Sequence, residues 1–227
     1  MGPGAALALC ASRCAGPWPF SIAVRHGDRS LLSLPDPGSR ADLPAAAFEM
    51  CRRAGVPPRE IAEVRVDVGP GSYVGLRVAV TLARFLQREN GARLLAATSL
   101  ELMACAAARH HGLAGEHVHV LLDARRGRWH AAHLRVTGDS VRTVGDPQAL
   151  PPAHALTSLT ENAVVVADPA MHEALAATAR ERNLRVLAPE PVDAWMLFDA
   201  RLALLDREPA ELEPLYLMGT YADEPMG

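Results

Sequence analysis

The sequence predicts an α/β protein in which strands and helices follow one another along the chain. Short apolar runs of β character alternate with longer segments whose apolar residues repeat at helical spacing. A glycine-rich turn at residues 69–71 joins one strand directly to a long helix. Strands followed by helices are typical of layered α/β architectures. The pattern changes to a hairpin after Gly115, so we expect two α/β domains, residues 1–107 and a smaller one at residues 108–227.

Five strands are predicted in the N-terminal half, as short runs bounded by glycine, proline or polar turns. They cover residues 5–10, 20–25, 30–34, 63–68 and 93–97. Helices are expected over residues 42–54, 72–90 and 98–110. Asp42 is a suitable N-cap for the first helix, and Gly91 is a stop signal for the second. Thr98 and Glu101 have the spacing of a capping box at the start of the third.

The C-terminal half is predicted to begin with a hairpin, residues 117–123 and 128–136, joined by a tip that contains Arg125 and Arg126. Asp123 and Arg125 are expected to fix this tip through bonds from side chain to backbone. Further strands are expected at residues 163–167, 184–187 and 212–218, and helices at 169–182 and 193–206. We expect the last helix and the tail to pack back on the first domain.

Composition excludes several function classes. The net charge of −3 favours neither nucleic acid nor an anionic membrane as the main partner. All 23 basic residues are arginine, so a Walker-type lysine and a Schiff-base lysine are excluded. No stretch lacks charge over the roughly 20 residues that cross a bilayer, so we expect a cytoplasmic protein with no membrane contact. The four cysteines have neither zinc-site nor disulfide-scaffold spacing.

No catalytic or metal-binding residue is predicted. The sequence contains no HxxxH pair, and the adjacent His110 and His111 are expected to diverge on a helix. Ser72 follows a glycine-rich turn but lacks the GxSxG elbow of serine hydrolases. Gly69, Gly71 and Ser72 are weak candidates for binding a cofactor phosphate at a helix N-terminus. The dinucleotide and P-loop motifs both fail there, so a purely structural turn is the alternative.

The helix at residues 72–90 is apolar over more than the roughly 100° arc that one sheet can cover. The helix at residues 42–54 is also rich in apolar and small residues. Together they predict a two-helix surface that binds a partner, whereas a thicker core within this chain is the alternative. The expected interface residues are Leu43, Ala47, Met50, Tyr73, Gly75, Leu76, Ala79, Val80 and Ala83.

Four segments resemble one known family. Residues 69–77, GPGSYVGLR, resemble the GPGSFTGLR signature of the TsaB (YeaZ-type) family, with Val74 in place of a threonine. Residues 98–101, TSLE, resemble the family's SSLE segment, and residues 122–127, LDARRG, resemble its DARRGE hairpin. Residues 213–217, EPLYL, are similar to the P-x-YLR near its C-terminus.

This resemblance implies two related α/β domains of the actin-like or Hsp70-like ATPase superfold. It also implies a non-catalytic subunit of the machinery that makes threonylcarbamoyladenosine (t6A) in tRNA. The two N-terminal helices would then bind a TsaD-like catalytic subunit, which a TsaE-like ATPase joins. ATP or ADP would bind only at an interface of the complex, and tRNA would be reached through the complex, with Arg125 and Arg126 as candidate RNA contacts. A homodimer is expected when the partner is absent.

The sequence departs from the family at its first strand. The family's Asp-Thr-Ser is replaced by Cys10-Ala11-Ser12, so no carboxylate can hold a metal there. This departure disfavours the main alternative, a stand-alone ATP-dependent phosphotransferase of the same superfold, because phosphoryl transfer needs a metal held by carboxylates. A homodimeric protein that uses the same helices on itself is the third hypothesis.

Overall fold

The computed structural model describes residues 4–13 and 16–217. Its first half contains the predicted strands and helices. In chain order these are β1 (Ala5–Cys10), β2 (Ser21–His26), β3 (Arg29–Ser33), α1 (Leu43–Ala54), β4 (Ile61–Asp67), α2 (Tyr73–Asn90), β5 (Arg93–Ala97) and α3 (Ser99–His111). The second half holds β6 (His117–Asp123), β7 (Trp129–Val136), β8 (Val141–Thr143), β9 (Gln148–Leu150), α4 (Pro152–Thr157), β10 (Val164–Ala167), α5 (His172–Glu181), β11 (Arg185–Leu187) and β12 (Leu205–Asp206).

The strands form two six-stranded mixed sheets. The first has the order β12-β5-β4-β1-β2-β3, in which β1, β4 and β5 are parallel and their neighbours at both edges are antiparallel. The second has the order β11-β10-β6-β7-β8, with β9 paired to β7. Parallel pairs joined through helices, together with an antiparallel hairpin in each sheet, make this a two-sheet α/β fold.

Local signals in the sequence set the ends of the first three helices. The Asp42 carboxylate accepts a hydrogen bond from Ala45 N, and Gly55 ends α1 in the left-handed conformation. Thr98 and Glu101 form the predicted capping box at the start of α3. Gly91 ends α2 in the left-handed conformation, as Gly55 ends α1. The predictions for these helices are therefore confirmed to within a residue or two.

Helix α3 lies in a core that both sheets share. Its residues from Ser99 to Ala108 are buried, apart from the half-buried Glu101. One apolar cluster joins it to Ala8 and Ala23 of the first sheet and to Val118 and Val164 of the second. A second cluster, between the first sheet and helices α1 and α2, fills the other face.

The predicted helix at residues 193–206 is wrong. The chain makes only a 3-10 turn at Ala194–Phe198 and then leaves helical geometry at Asp199. The Asp199 carboxylate accepts hydrogen bonds from the backbone and the guanidinium of Arg201, and such local bonds compete with a helix. The segment instead continues into β12, which pairs with β5 at the edge of the first sheet.

Two further features differ from the sequence prediction. Residues 212–217 have no strand structure, and residue 218 of the predicted final strand lies outside the described residues. The sequence analysis does not predict strands β8 and β9 or helix α4, because each is short, and β9 and the start of α4 lie among the prolines of residues 147–152. Across residues 4–13 and 16–217, no helix combines the length and the apolar character that crossing a bilayer requires.

Candidate functional site

The turn between β4 and α2 is held by a buried carboxylate. Asp67 is fully buried, and its oxygens accept hydrogen bonds from Gly69 N (2.9 Å), the Ser99 hydroxyl (2.7 Å) and the Cys10 thiol (3.2 Å). Burial raises the pKa of Asp67, while hydrogen bonds from Ser12, Ser99, Gly69 and Cys10 oppose that rise. This carboxylate therefore joins three segments of the fold and is closed off from solvent.

The glycines of the same turn allow close contact with the end of β1. A Cβ added at Gly71 would overlap the carbonyl oxygen of Ser12, and one at Gly75 would overlap that of Ala11. Only glycine lets the start of α2 approach the backbone this closely. The spacing of these glycines, which does not fit the dinucleotide motif, is thus explained by packing.

Of the three candidate cofactor residues, Gly69 and Ser72 have hydrogen-bond partners within the fold, and Gly71 packs against the backbone of Ser12. Ser99 N donates to the Gly69 carbonyl (2.8 Å), and Ser72 N donates to the Ser12 carbonyl (2.6 Å). The Ser72 hydroxyl caps α2 by accepting from Gly75 N (3.3 Å). These bonds favour the structural reading of the turn over a phosphate cradle.

A polar cleft of about 740 Å³ lies beside this turn. Residues 70–74 form one wall, and residues 122–125 with His130 and Asp168 form the other. The Asp123 carboxylate accepts from Arg125 N (2.8 Å), which confirms the predicted bond in the hairpin tip. Asp168 caps its own turn by accepting from Ala170 N (2.8 Å).

His130 contributes a buried ring nitrogen to this cleft. Its Nδ1 is buried without a hydrogen-bond partner among the described residues. Burial lowers the pKa of His130, and the negative charge of Asp123 partly offsets that effect. The imidazole is therefore biased towards its neutral form, which can donate or accept a hydrogen bond from a polar ligand.

Most of the predicted interface residues face the core of their own chain, which corrects the prediction. Side chains of this set with 5% or less of their surface exposed are Leu43, Ala47, Met50, Leu76, Ala79, Val80 and Ala83. The small residues Ala79 and Ala83 of α2 pack in the apolar cluster between this helix and the first sheet. A partner cannot reach these side chains while the chain stays folded. Gly75 is half-buried, and Tyr73 is 53% exposed.

The opposite faces of the same two helices carry the exposed apolar surface. It forms a groove of about 410 Å³ between α1 and α2, which we call the α1–α2 groove. Phe48 is 37% exposed and Phe85 is 50% exposed, and they are its largest apolar side chains. The groove is lined by Pro44, Phe48, Arg77, Val78, Thr81, Leu82 and Phe85.

The start of α2 extends this surface. Val74 is 69% exposed, and the Tyr73 ring lies 5.3 Å from that of Tyr216. Arg77 donates to the Tyr73 hydroxyl (2.7 Å). An apolar groove thus continues into an aromatic and basic corner, a composition that is enriched at protein interfaces.

The C-terminal segment closes another flank of α2. Leu215 N donates to the Val68 carbonyl (2.7 Å), and Leu212 is buried in the core beneath α2. Arg84 lies 3.6 Å from the carboxylate of Glu213. One side of α2 is therefore covered by this chain's own tail, whereas the α1–α2 groove is left open.

The hairpin tip presents the two predicted RNA contacts to solvent. Arg125 and Arg126 are exposed, with φ values of 63° and 50°. The left-handed conformation turns the backbone sharply between β6 and β7, so both arginines lie at the end of the hairpin. They lie on the same hairpin that forms one wall of the polar cleft.

The prediction that His110 and His111 diverge is wrong. Their rings make an edge-to-face contact with centroids 4.7 Å apart, and both approach Glu190. Divergence holds inside a regular helix, but these residues occupy the last turn of α3, before the left-handed Gly112. Sequence spacing could not reveal this cluster, because Glu190 comes from a distant segment.

Comparisons with known proteins agree with this fold. A family model described as "TsaD: tRNA N6-adenosine threonylcarbamoyltransferase" matches residues 39–191. The tRNA threonylcarbamoyladenosine biosynthesis protein TsaB of Bacillus subtilis (strain 168) is 32% identical over 83 residues. That match covers 37% of this chain and 34% of the relative, so it spans about a third of the relative's length.

Two solved structures from Pseudomonas aeruginosa have the same fold. One is described as YeaZ (TM-score 0.72) and the other as an uncharacterized protein with similarity to peptidase YEAZ (TM-score 0.73). Each is 21% identical to this chain, and each match covers 95% of it and all of the solved chain. The architecture is thus the predicted pair of actin-like α/β units. The chain belongs to the TsaD-type family of tRNA N6-adenosine threonylcarbamoyltransferase proteins, and within it the chain is a divergent TsaB-like member.

Proposed function

We propose that this chain takes part in t6A synthesis as a non-catalytic subunit that binds a TsaD-like catalytic subunit through the α1–α2 groove. The observation that carries the proposal is the exposed apolar lining of this groove, with Phe48 and Phe85 at its centre. The family membership supports the process, and the open groove supports the binding role. The complex would lie in the cytoplasm, the compartment that contains tRNA.

The groove has the chemistry of a partner-binding site. Aromatic anchors that become fully buried contribute most of the affinity of an interface, and truncating one costs about 2 kcal/mol or more. Phe85 still exposes half of its surface, so a partner can bury a large apolar area there. Arg77 and Thr81 lie in the groove beside the apolar side chains and can supply polar contacts with the partner.

The polar cleft supports an accessory role more than a catalytic one. The end of β1 offers Cys10 in place of a carboxylate, and its thiol is bonded to Asp67. Asp67 itself is buried, and Asp123 and Asp168 cap turns. In this proposal ATP or ADP binds at an interface of the complex, which a TsaE-like ATPase completes.

The test is co-purification of the full-length chain with the host's TsaD-like protein. Phe85→Asp should reduce binding at least tenfold, because it would bury an unpaired charge at the interface. Val144→Asp is the matched control, since Val144 is exposed to a similar degree (48%) outside the groove. Equal binding by Phe85→Asp and the control would overturn the docking site.

Arg125 and Arg126 would contact tRNA phosphates within the assembled complex. The double change Arg125→Glu and Arg126→Glu should weaken tRNA binding by the complex and reduce its dependence on salt concentration. Arg142→Glu, at an exposed site near the other end of β7, is the control. If the double variant binds tRNA with the wild-type affinity and salt dependence, the tip has no RNA role.

A stand-alone phosphotransferase is the alternative, favoured by the size and polarity of the cleft. Purified chain with ATP and magnesium distinguishes the two functions, because steady hydrolysis without a partner would favour the enzyme.

A homodimer through the α1–α2 groove is the third hypothesis. In that case Phe85→Asp would convert a dimer into a monomer in size-exclusion chromatography, and no partner would co-purify with the wild type.

A further inference from the structure

The end of α3 carries a cluster of metal-ligating side chains on the side of the molecule where residues 188–193 pass. His110 and His111 are the last two residues of the helix, and Glu190 lies in the segment between β11 and the 3-10 turn. The distance from His111 Nε2 to Glu190 Oε1 is 3.3 Å, and that from His110 Nε2 is 3.7 Å. The cluster therefore joins two segments far apart in sequence.

The three side chains are placed as ligands of one ion would be. One donor atom from each lies within 4.8 Å of the other two. A tetrahedral zinc ion bound at about 2.0–2.1 Å to each ligand requires donor atoms about 3.3–3.5 Å apart. The distance from His111 to Glu190 matches this separation, whereas the distance of 3.7 Å from His110 to Glu190 exceeds it. Binding an ion would therefore require the His110 imidazole to rotate towards the other two side chains.

We propose that His110, His111 and Glu190 form a binding site for a divalent transition-metal ion of the zinc class. Two imidazoles and one carboxylate favour zinc, nickel or copper over magnesium and calcium, which prefer oxygen ligands. Three protein ligands leave a fourth position open for water or for a polar group of a ligand.

The surroundings allow an ion to enter and bind. A cavity of about 460 Å³ adjoins the cluster, and His110 and Glu190 form part of its wall. Asp193 lies in the same wall and adds negative charge, whereas Arg109 adds a positive charge that opposes the ion. The side chain of His110 is 63% exposed, and those of His111 and Glu190 are 30% and 27% exposed, so an ion can reach the site directly from solvent.

Metal binding at this site would tie the end of α3 to the chain that returns to the first sheet. Four residues after Glu190, Ala194 N donates to the buried Ser21 hydroxyl (2.7 Å). An ion that binds only the folded state stabilises it by mass action. Zinc should therefore raise the thermal midpoint of unfolding, and the increase should grow with zinc concentration.

The experiment is calorimetric titration of the full-length, chelator-treated chain with Zn²⁺, supported by the visible spectrum of bound Co²⁺. Wild type should bind one ion, with a Co²⁺ spectrum of tetrahedral type. His111→Ala and Glu190→Gln should each weaken binding at least about tenfold, since even the loss of an outer-shell partner costs 10–100-fold. Both variants should also lose the zinc-dependent rise in the unfolding midpoint.

Two controls separate this cluster from the other histidines. His154→Ala removes an exposed histidine elsewhere and should leave binding unchanged. His117→Ala breaks the second histidine group, in which His117 Nδ1 lies 2.8 Å from His133 Nε2, and should also have no effect. Absence of binding by wild type, wild-type affinity in Glu190→Gln, or loss of binding in His117→Ala would each overturn the proposal. The first result would leave the cluster as a pair of ordinary histidine–glutamate contacts.

Discussion

The Ser99 hydroxyl donates a 2.7 Å hydrogen bond to the buried carboxylate of Asp67. Asp67 ends β4 and Ser99 begins α3, so this bond joins the glycine-rich turn to the helix at the centre of the shared core. Hydrogen bonds to a buried charged group are among the stronger ones in proteins. The position of α2, and with it the α1–α2 groove, depends on this network.

Ser99→Ala should destabilise the fold by about 1.5–3 kcal/mol, because it removes a hydrogen bond to a buried carboxylate. Urea unfolding of the purified chain measures this change. Ser30→Ala, at an exposed site on β3, is the control and should stay within about 0.5 kcal/mol of wild type. A Ser99→Ala variant as stable as this control would contradict the structural role of the bond.

The loss of stability in Ser99→Ala should depend on pH. Burial raises the pKa of Asp67 above its unfolded value, so the unfolded chain loses the proton first as pH rises. As pH rises from the unfolded pKa to the folded pKa of Asp67, the folded state therefore loses stability. Above both values the full cost of burying the charged carboxylate is present at every pH. Loss of the Ser99 bond raises the folded pKa further. The stability gap between wild type and Ser99→Ala should therefore be wider at pH 8 than at pH 4, and an equal gap would contradict this.

Gly75→Ala should be strongly destabilising, although alanine normally favours a helix. The added Cβ would overlap the Ala11 carbonyl oxygen, so the start of α2 would have to move. Forced overpacking typically costs about 1–3 kcal/mol, and more where backbone resists. Gly138→Ala is the matched control, because no atom lies within 4 Å of the new Cβ. Denaturant midpoints of the two variants should differ clearly, and equal midpoints would exclude the close approach.

Ala79→Arg should prevent folding and not merely block a partner. Ala79 is completely buried against the first sheet, so the variant would bury a charge without a partner, which costs several kcal/mol. Thr81→Arg places the same side chain two residues further along α2, at an exposed position in the α1–α2 groove. It should keep stability within about 0.5 kcal/mol of wild type. Thermal unfolding checks this, and a folded Ala79→Arg chain would contradict the burial of this face.

His119 should make the protein sensitive to mild acid. Burial, followed by repulsion from His133 and His117, lowers the pKa of His119 from 6.5 to about 4. As pH falls through this window the unfolded chain takes up the proton first, so stability is lost by up to about 3 kcal/mol. His119→Gln should flatten the fall, since glutamine does not titrate and can accept from Thr160 N as His119 does. His26→Gln, at an exposed site, is the control and should lose stability in acid as the wild type does. If His119→Gln loses as much stability in acid as the wild type, His119 is not the source of the acid sensitivity.

The sequence by itself determined the local structure of the N-terminal half. Caps and stops such as Asp42, Gly55 and Gly91 act within one or two turns, so residue identity predicts where a helix begins and ends. The hairpin of residues 117–136 was predictable for the same reason. The glycine-rich turn was also distinctive enough to indicate the family. The division into domains at residues 107 and 108 stays a prediction.

Only the tertiary structure decided which face of α2 is available to a partner. A helix that is apolar nearly all round can turn any face to its own sheet, and the sequence pattern does not choose among them. Packing buries Ala79 and Ala83 and leaves Phe85 exposed. The meeting of His110 and His111 with Glu190, and the return of the tail to the first sheet, also required the structure. Each brings together residues that are distant along the chain, and local sequence signals carry no information about such contacts.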